Sequence, residues 1–153
     1  MEIKDSGTRR EFETGAVRDI QEGKGRCDLL PLDIASDIMD NDVVLFGINQ
    51  FMLCMNNNEK EDAKQYIIHA LHYFAEKYFS TVPNMLLEVS IHFEQGAKKY
   101  AENNWKKGIP VKCYIDSGVR HYLKFLRGDK DEPHDRAFCW NMMCMLWTLD
   151  NID

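Results

Sequence analysis

Apolar residues recur at a helical period in four separate stretches of this chain, and polar breakers separate the stretches. Over 60–79 the stripe is Ala63, Ile67, Ala70 or Leu71, Phe74 and Tyr78; over 85–101 it is Leu86, Val89, Phe93, Ala97 and Tyr100. Over 114–127 it is Ile115, Val119, Tyr122 and Leu126, and over 133–149 it is Phe138, Met142, Met145, Leu146 and Leu149. Residues three or four apart share one helix face, so each stretch buries its stripe only as a helix packed on a partner. The fold class this predicts is all-α, a helical bundle. Asp40-Asn-Asp42, Asn56-Asn-Asn58, Ser80-Thr-Val-Pro-Asn84 and Gly128 mark the ends of helices. Residues 31–40 read as a first helix, with Asp28 as a candidate cap and Pro31 in the first turn. The almost uncharged run 43–55 reads as a buried helix, with a strand as the alternative.

The last stretch is apolar nearly all round, because Trp140, Cys144 and Trp147 occupy the sides its stripe leaves free. Such a helix is expected at the centre of the bundle or at a subunit interface, which predicts a homo-oligomer, a dimer or tetramer. With 153 residues, 44% of them apolar, the chain is expected to form a single domain, 1–153. Its net charge of −6 argues against nucleic-acid binding, which needs a basic surface to displace counterions. A small anionic ligand stays open, since a few local lysines and a divalent cation supply positive field. No secretory segment and no run of about 18 apolar residues is present, so the expectation is a cytoplasmic protein without a membrane partner. Five cysteines without a CxxC pair read as reduced thiols. His69 and His72 have a spacing that suits a metal, but surface or packed histidines are the plainer reading.

Chemistry-bearing residues concentrate in three places. Residues 1–32 form a polar, irregular arm with five cations: Arg9, Arg10, Arg18, Lys24 and Arg26. It reads either as a solvated arm or as one that folds over a site and brings cations to phosphates. Glu94 sits at the edge of a buried face, followed by Gly96, Lys98, Lys99 and the Asn103-Asn-Trp105 turn, which suits contact with a base or sugar. Asp131, Glu132 and Asp135 stand at the start of the last helix. If the two helices pack antiparallel, these carboxylates converge with Glu94 into a hard oxygen site for Mg²⁺, or Mn²⁺ in its place. Lys98, Lys99 and His121 then neutralise charge developing on phosphate, with Arg120 and Lys124 on the same helix as His121. Capping and dipole complementarity alone also account for Glu132 and Asp135.

Three blocks carry a resemblance. They are Ser6-Gly-x-Arg-Arg-x-Phe-x-Thr-Gly-Ala-x-Arg-Asp19 with Gly23-Lys-Gly-Arg-x-Asp-Leu-Leu-Pro31; Phe93-Glu-x-Gly-Ala-Lys-Lys-Tyr-x-x-Asn-Asn-Trp-x-x-Gly-Ile-Pro110; and Asp116-Ser-Gly-x-Arg-His-Tyr-x-Lys124 with Gly128-Asp-x-Asp-Glu-x-His134 and Trp140-Asn141. Together they resemble the phage dATP/dGTP diphosphohydrolase family, which is related to the all-α MazG-like nucleotide pyrophosphohydrolases. The resemblance implies a MazG-like bundle that releases pyrophosphate from a purine deoxynucleoside triphosphate, with Mg²⁺ or Mn²⁺ held by acids of two helices. It also implies a homo-oligomer, in the host cytoplasm if the chain is phage-encoded. Glu94, Lys98 and His121 would be catalytic, and Glu94, Asp131, Glu132 and Asp135 would lie on the metal side. Lys98, Lys99, Arg120 and His121 would lie on the phosphate side, Arg18, Lys24, Arg26 and Lys124 would also bind the substrate, and Asn104 and Trp105 would lie near the nucleoside. The chain departs from the pattern in three ways. Ile91 and Ala97 stand where a second acid would complete a Glu-x-x-Glu pair with Glu94; Asp135 replaces an expected apolar residue; and 33–92 reads as a family-atypical helical insertion. A catalytically silent protein that binds or sequesters a nucleotide signal is the alternative, and a purely structural helical oligomer a third reading.

Overall fold

The computed structural model describes residues 1–152. Among them are a short antiparallel hairpin, β1 (Arg9–Glu11) and β2 (Val17–Asp19), and six α-helices. The helices are α1 (Leu32–Ile38), α2 (Val43–Asn56), α3 (Lys60–Tyr78), α4 (Val82–Lys99), α5 (Val111–Arg127) and α6 (His134–Asn151). The all-α expectation holds. No helix among the described residues is long and apolar enough to cross a membrane. The chain divides into two compact units, one of residues 29–86 and one of residues 1–28 with 87–153.

In the 29–86 unit, α2 packs on both α1 and α3. The uncharged run is helical rather than extended. Asp42 caps it, its carboxylate accepting from the Leu45 N–H at 2.9 Å, which satisfies one of the amides that a helix start leaves without a partner. Val44, Leu45, Ile48 and Phe51 are buried, while Phe46 and Leu53 are half exposed. So α2 has a solvent side that its sequence does not announce. On α3 the buried residues include Ala63, Ile67, Ala70, Leu71 and Phe74, the expected stripe. His69 and His72 are exposed, and His72 pairs with Glu76 at 2.6 Å.

In the other unit, α5 and α6 form the main packed pair. Ile115, Val119 and Tyr122 face inward from α5, and Phe138, Met142, Met145 and Leu149 from α6. At Gly118 the space a Cβ would take is filled by the terminal methyl of Met142, the flexible end of a side chain from α6. Gly128 ends α5 with φ +93°, the left-handed conformation expected of a helix stop. The arm holds the hairpin within otherwise irregular chain, registered Arg9 to Asp19 and Glu11 to Val17. All five cysteines are free thiols.

The stripe of α4 differs from expectation. Met85, Val89 and His92 are buried, whereas Leu86 is 45% exposed. Met85, Leu86 and Leu87 are consecutive apolar residues, and periodicity cannot choose among neighbours of equal hydropathy. A histidine takes the inward position that Phe93 was expected to hold.

Candidate functional site

A cavity of about 750 Å³ opens in the unit formed by 1–28 and 87–153. Its walls come from the arm, the second half of α4, the turn after it, α5, Glu132 just before α6, and Trp140 and Asn141 in the middle of α6. One wall is aromatic. Phe93 lies 5.5 Å from Trp105 and 5.9 Å from Trp140, centroid to centroid, and all three rings line the cavity. His92 stacks on Trp140 at 5.5 Å, with its Nδ1 buried and without a hydrogen-bond partner among the described residues. Burial, then the charges of Arg136, Lys99 and Arg18, lowers the His92 pKa to about 3, so the ring is neutral.

Facing this wall are cations in two different states. Arg18 has its guanidinium 5.4 Å from the Tyr114 ring and 5.9 Å from that of Trp140. Its Nη2 donates to Asn141 Oδ1 at 3.1 Å, and its Nη1 is buried without a partner. Lys24 and Lys124 also line the cavity. Arg120 and Lys99, by contrast, are engaged. Arg120 Nη2 donates at 2.7 Å to both carboxylate oxygens of Asp116 and to the Gly25 carbonyl, and Asp116 accepts from the Cys27 N–H at 2.7 Å. This buried pair straps residues 25–27 of the arm to α5. Lys99 donates to the Lys4 carbonyl and lies 3.4 Å from Asp19. Burial by itself would raise the Asp19 pKa, but hydrogen bonds from Ser6 and the Ile20 N–H and the charge of Lys99 outweigh it and hold the carboxyl at about 2.

The four carboxylates named from the sequence separate in space. Glu94 and Glu132 line the cavity; Asp131 and Asp135 do not. Glu94 is exposed and makes no hydrogen bond or ion pair among the described residues. Glu132 accepts from the Lys4 N–H at 2.9 Å. Asp131 bridges Lys4 Nζ, at 2.7 Å, and His134 Nε2, at 2.8 Å, contacts that hold its carboxyl well below the usual range. Asp135 accepts from the Arg136 N–H at 2.8 Å, as a first-turn helix acid does. Two carboxylates facing a cavity fit a hard divalent ion, because Mg²⁺ usually takes one or two carboxylates and fills its shell with phosphate oxygens and water.

Among the remaining candidates, Lys98 is exposed and does not line the cavity. Arg26 lies outside it, paired with Asp28 at 2.7 Å. Trp105 is in the wall. Asn104 is buried, its side chain accepting from the Val17 N–H at 2.9 Å and donating to the Val17 carbonyl at 2.8 Å. That amide serves β2 as a strand neighbour would. His121 lines the cavity with its Nδ1 2.8 Å from His134 Nδ1. Burial, then the neighbouring histidine, holds its pKa well below the usual value.

Four lining or supporting residues were given no site role from the sequence: His92, His134, Trp140 and Asn141. His92 had a signal, being a polar residue spaced seven from Met85 and three from Val89 along one face. A family model described as dATP/dGTP diphosphohydrolase, N-terminal, matches residues 55–153. The chain belongs to this family. No curated protein and no solved structure matches it. The stretch shared with the family takes in the aromatic wall, Glu94, Glu132 and both facing histidines, whereas Arg18 and Lys24 come from the arm that precedes it.

Proposed function

We propose that this chain hydrolyses the purine deoxynucleoside triphosphates dATP and dGTP to the monophosphate and pyrophosphate. The observation that carries this reading is one cavity whose lining brings together the Phe93, Trp105 and Trp140 rings, the cations Arg18 and Lys24, and the carboxylates Glu94 and Glu132. A planar base suits the Phe93, Trp105 and Trp140 wall. The volume suits a nucleotide, since pockets for such ligands run from about 300 to 1,000 Å³. The phosphates then meet Arg18, whose buried Nη1 offers a donor that nothing else occupies, and Lys24. In this reading both stabilise charge that grows on the leaving pyrophosphate.

Glu94 and Glu132 would hold a Mg²⁺ or Mn²⁺ ion together with phosphate oxygens. Bound there, the ion would supply Lewis-acid polarisation of a phosphoryl group and a more acidic attacking water. His92, neutral and buried against Trp140, offers one ring nitrogen to a polar edge of the base.

The test is chromatography of products from dATP, dGTP, ATP and GTP, each with Mg²⁺, Mn²⁺ or EDTA. Monophosphate and pyrophosphate are expected, absent with EDTA. Glu94→Gln is expected to fold normally and lose roughly a hundredfold or more in rate, the scale of a positioned catalytic group. Full activity in that variant overturns the role given to Glu94. A second reading is binding without turnover, by a protein that sequesters a nucleotide. The engagement of Arg120 and Lys99 with the arm favours it, because it leaves fewer cations for the transition state. Intact triphosphates under every condition, with nucleotide binding measured by calorimetry, would decide for it.

A further inference from the structure

His121, on α5, and His134, the first residue of α6, face each other with their Nδ1 atoms 2.8 Å apart. A Glu132 carboxylate oxygen and one nitrogen of each ring lie within 4.8 Å of one another. The His134 side chain is fully buried, and its Nε2 lies 2.8 Å from Asp131 Oδ1. Asp131 is ion-paired with Lys4 at 2.7 Å, and a carboxylate oxygen only accepts, so the proton of the contact with His134 sits on its Nε2. In that tautomer the lone-pair nitrogen of His134 is Nδ1, which faces His121 Nδ1 at 2.8 Å. A proton on His121 Nδ1 would satisfy that one contact. Glu132, which also accepts from the Lys4 N–H, brings a carboxylate oxygen to the same cluster.

A metal ion accounts for all three donors at once. A carboxylate that accepts from the far nitrogen of a histidine fixes its tautomer and turns the near nitrogen toward a metal. Two imidazole nitrogens and one oxygen suit Zn²⁺, Co²⁺, Fe²⁺ or Mn²⁺, and suit Mg²⁺ poorly, since Mg²⁺ prefers oxygen throughout. The two nitrogens need to part by about half an ångström to lie about 2.0–2.1 Å from a common ion, a small adjustment of one ring. His121 and Glu132 also line the cavity, so positions left open on the ion face it.

We propose that His121, His134 and Glu132 form a first-row transition-metal site at the cavity wall, with Asp131 and Lys4 as the positioning residues that orient His134. The site shares Glu132 with the carboxylate–phosphate Mg²⁺ arrangement proposed above and differs from it in its two imidazole donors and in not using Glu94. It does not depend on hydrolysis, because the three donors converge without any nucleotide.

The test is metal uptake by the whole, chelator-stripped protein. It is dialysed against Co²⁺, Zn²⁺ or Mg²⁺ alone, and the bound metal is counted by mass spectrometry. One Co²⁺ per chain is expected, with visible bands of a nitrogen–oxygen site, and no retained Mg²⁺. His121→Ala and Glu132→Gln should each weaken Co²⁺ binding at least tenfold, Asp131→Asn about ten- to a hundredfold, and Glu94→Gln not at all. Circular dichroism establishes that each variant is folded, and the buried His134 is left in place for that reason. No uptake at micromolar Co²⁺ or Zn²⁺ overturns the proposal. Unchanged uptake in both His121→Ala and Glu132→Gln, or a thiolate-to-cobalt charge-transfer band that assigns the ion to a cysteine, does the same. Mg²⁺-dependent product formation is read separately, so loss of this site and loss of the hydrolase reading are distinguishable.

Discussion

Gly96 illustrates how one residue separates stability from function. It lies inside α4, where glycine costs about 1 kcal/mol relative to alanine. It lines the cavity, and a Cβ added there would meet nothing within 4 Å. Packing therefore does not require the glycine, whereas close approach of a ligand to the helix would. Gly96→Ala is expected to raise unfolding stability by about 1 kcal/mol in urea titrations while weakening nucleotide binding measured by calorimetry. Unchanged affinity in a stabilised variant would place the ligand away from this turn of α4. His92 makes a related point. A histidine with an unpartnered buried nitrogen carries a cost of roughly 1–3 kcal/mol, which a ligand that pairs with it would remove.

At the scale of elements, the arm is attached by side chains that look like site residues in the sequence. Asp116 and Arg120, one turn apart on α5, form a buried pair that also takes the Cys27 amide and the Gly25 carbonyl. Removing one partner of such a pair leaves the other charged and buried, a loss of roughly 3–5 kcal/mol. Asp116→Ala is therefore expected to destabilise the fold by that order in urea unfolding. It should also speed hydrogen exchange first at residues 24–27. If exchange at 24–27 stays protected, the strap is not what holds the arm. Asn104 acts in the same way on β2, its amide paired with both backbone groups of Val17.

Over the whole molecule, acid is expected to loosen the arm, because Asp19 of the arm meets Lys99 of α4 and Lys4 of the arm meets Asp131. Asp5, Asp19, Asp28 and Asp131 all have lowered pKa values, chiefly from hydrogen bonds to Arg9, Ser6, Arg26 and Lys4 respectively, and in Asp19 these act against burial. A carboxyl with a depressed folded pKa contributes stability fully above its unfolded value, near 3.8. That contribution is lost as pH falls through the folded value, about 2 for Asp19. The destabilisation caused by Asp19→Asn should then be complete at pH 5 and shrink as pH falls from about 4 toward 2. Limited proteolysis of the arm over the same window should show it released in wild type. A cost of Asp19→Asn independent of pH would mean that its shape, rather than its charge, closes the arm.

Helix identity was written in the chain because a period of 3.6 is local. Ala63, Ile67, Phe74, Val119, Tyr122, Phe138 and Met142 are buried as their spacing requires, and Gly128 stops α5 where an αL residue is needed. Family membership was equally legible, since blocks such as Phe93 to Pro110 are long enough to be specific. Only the tertiary structure decided which consecutive apolar residue of α4 faces inward, because Met85 and Leu86 are equivalent until something packs on one of them. It also decided which cations stay free. Arg18 and Arg120 are alike in sequence, yet Arg120 found Asp116 one turn away and the arm's carbonyls, while Arg18 found two aromatic faces. The facing of His121 and His134 belongs to the same class. They lie thirteen positions apart, with a turn between them, and the pairing exists because α5 and α6 pack side by side.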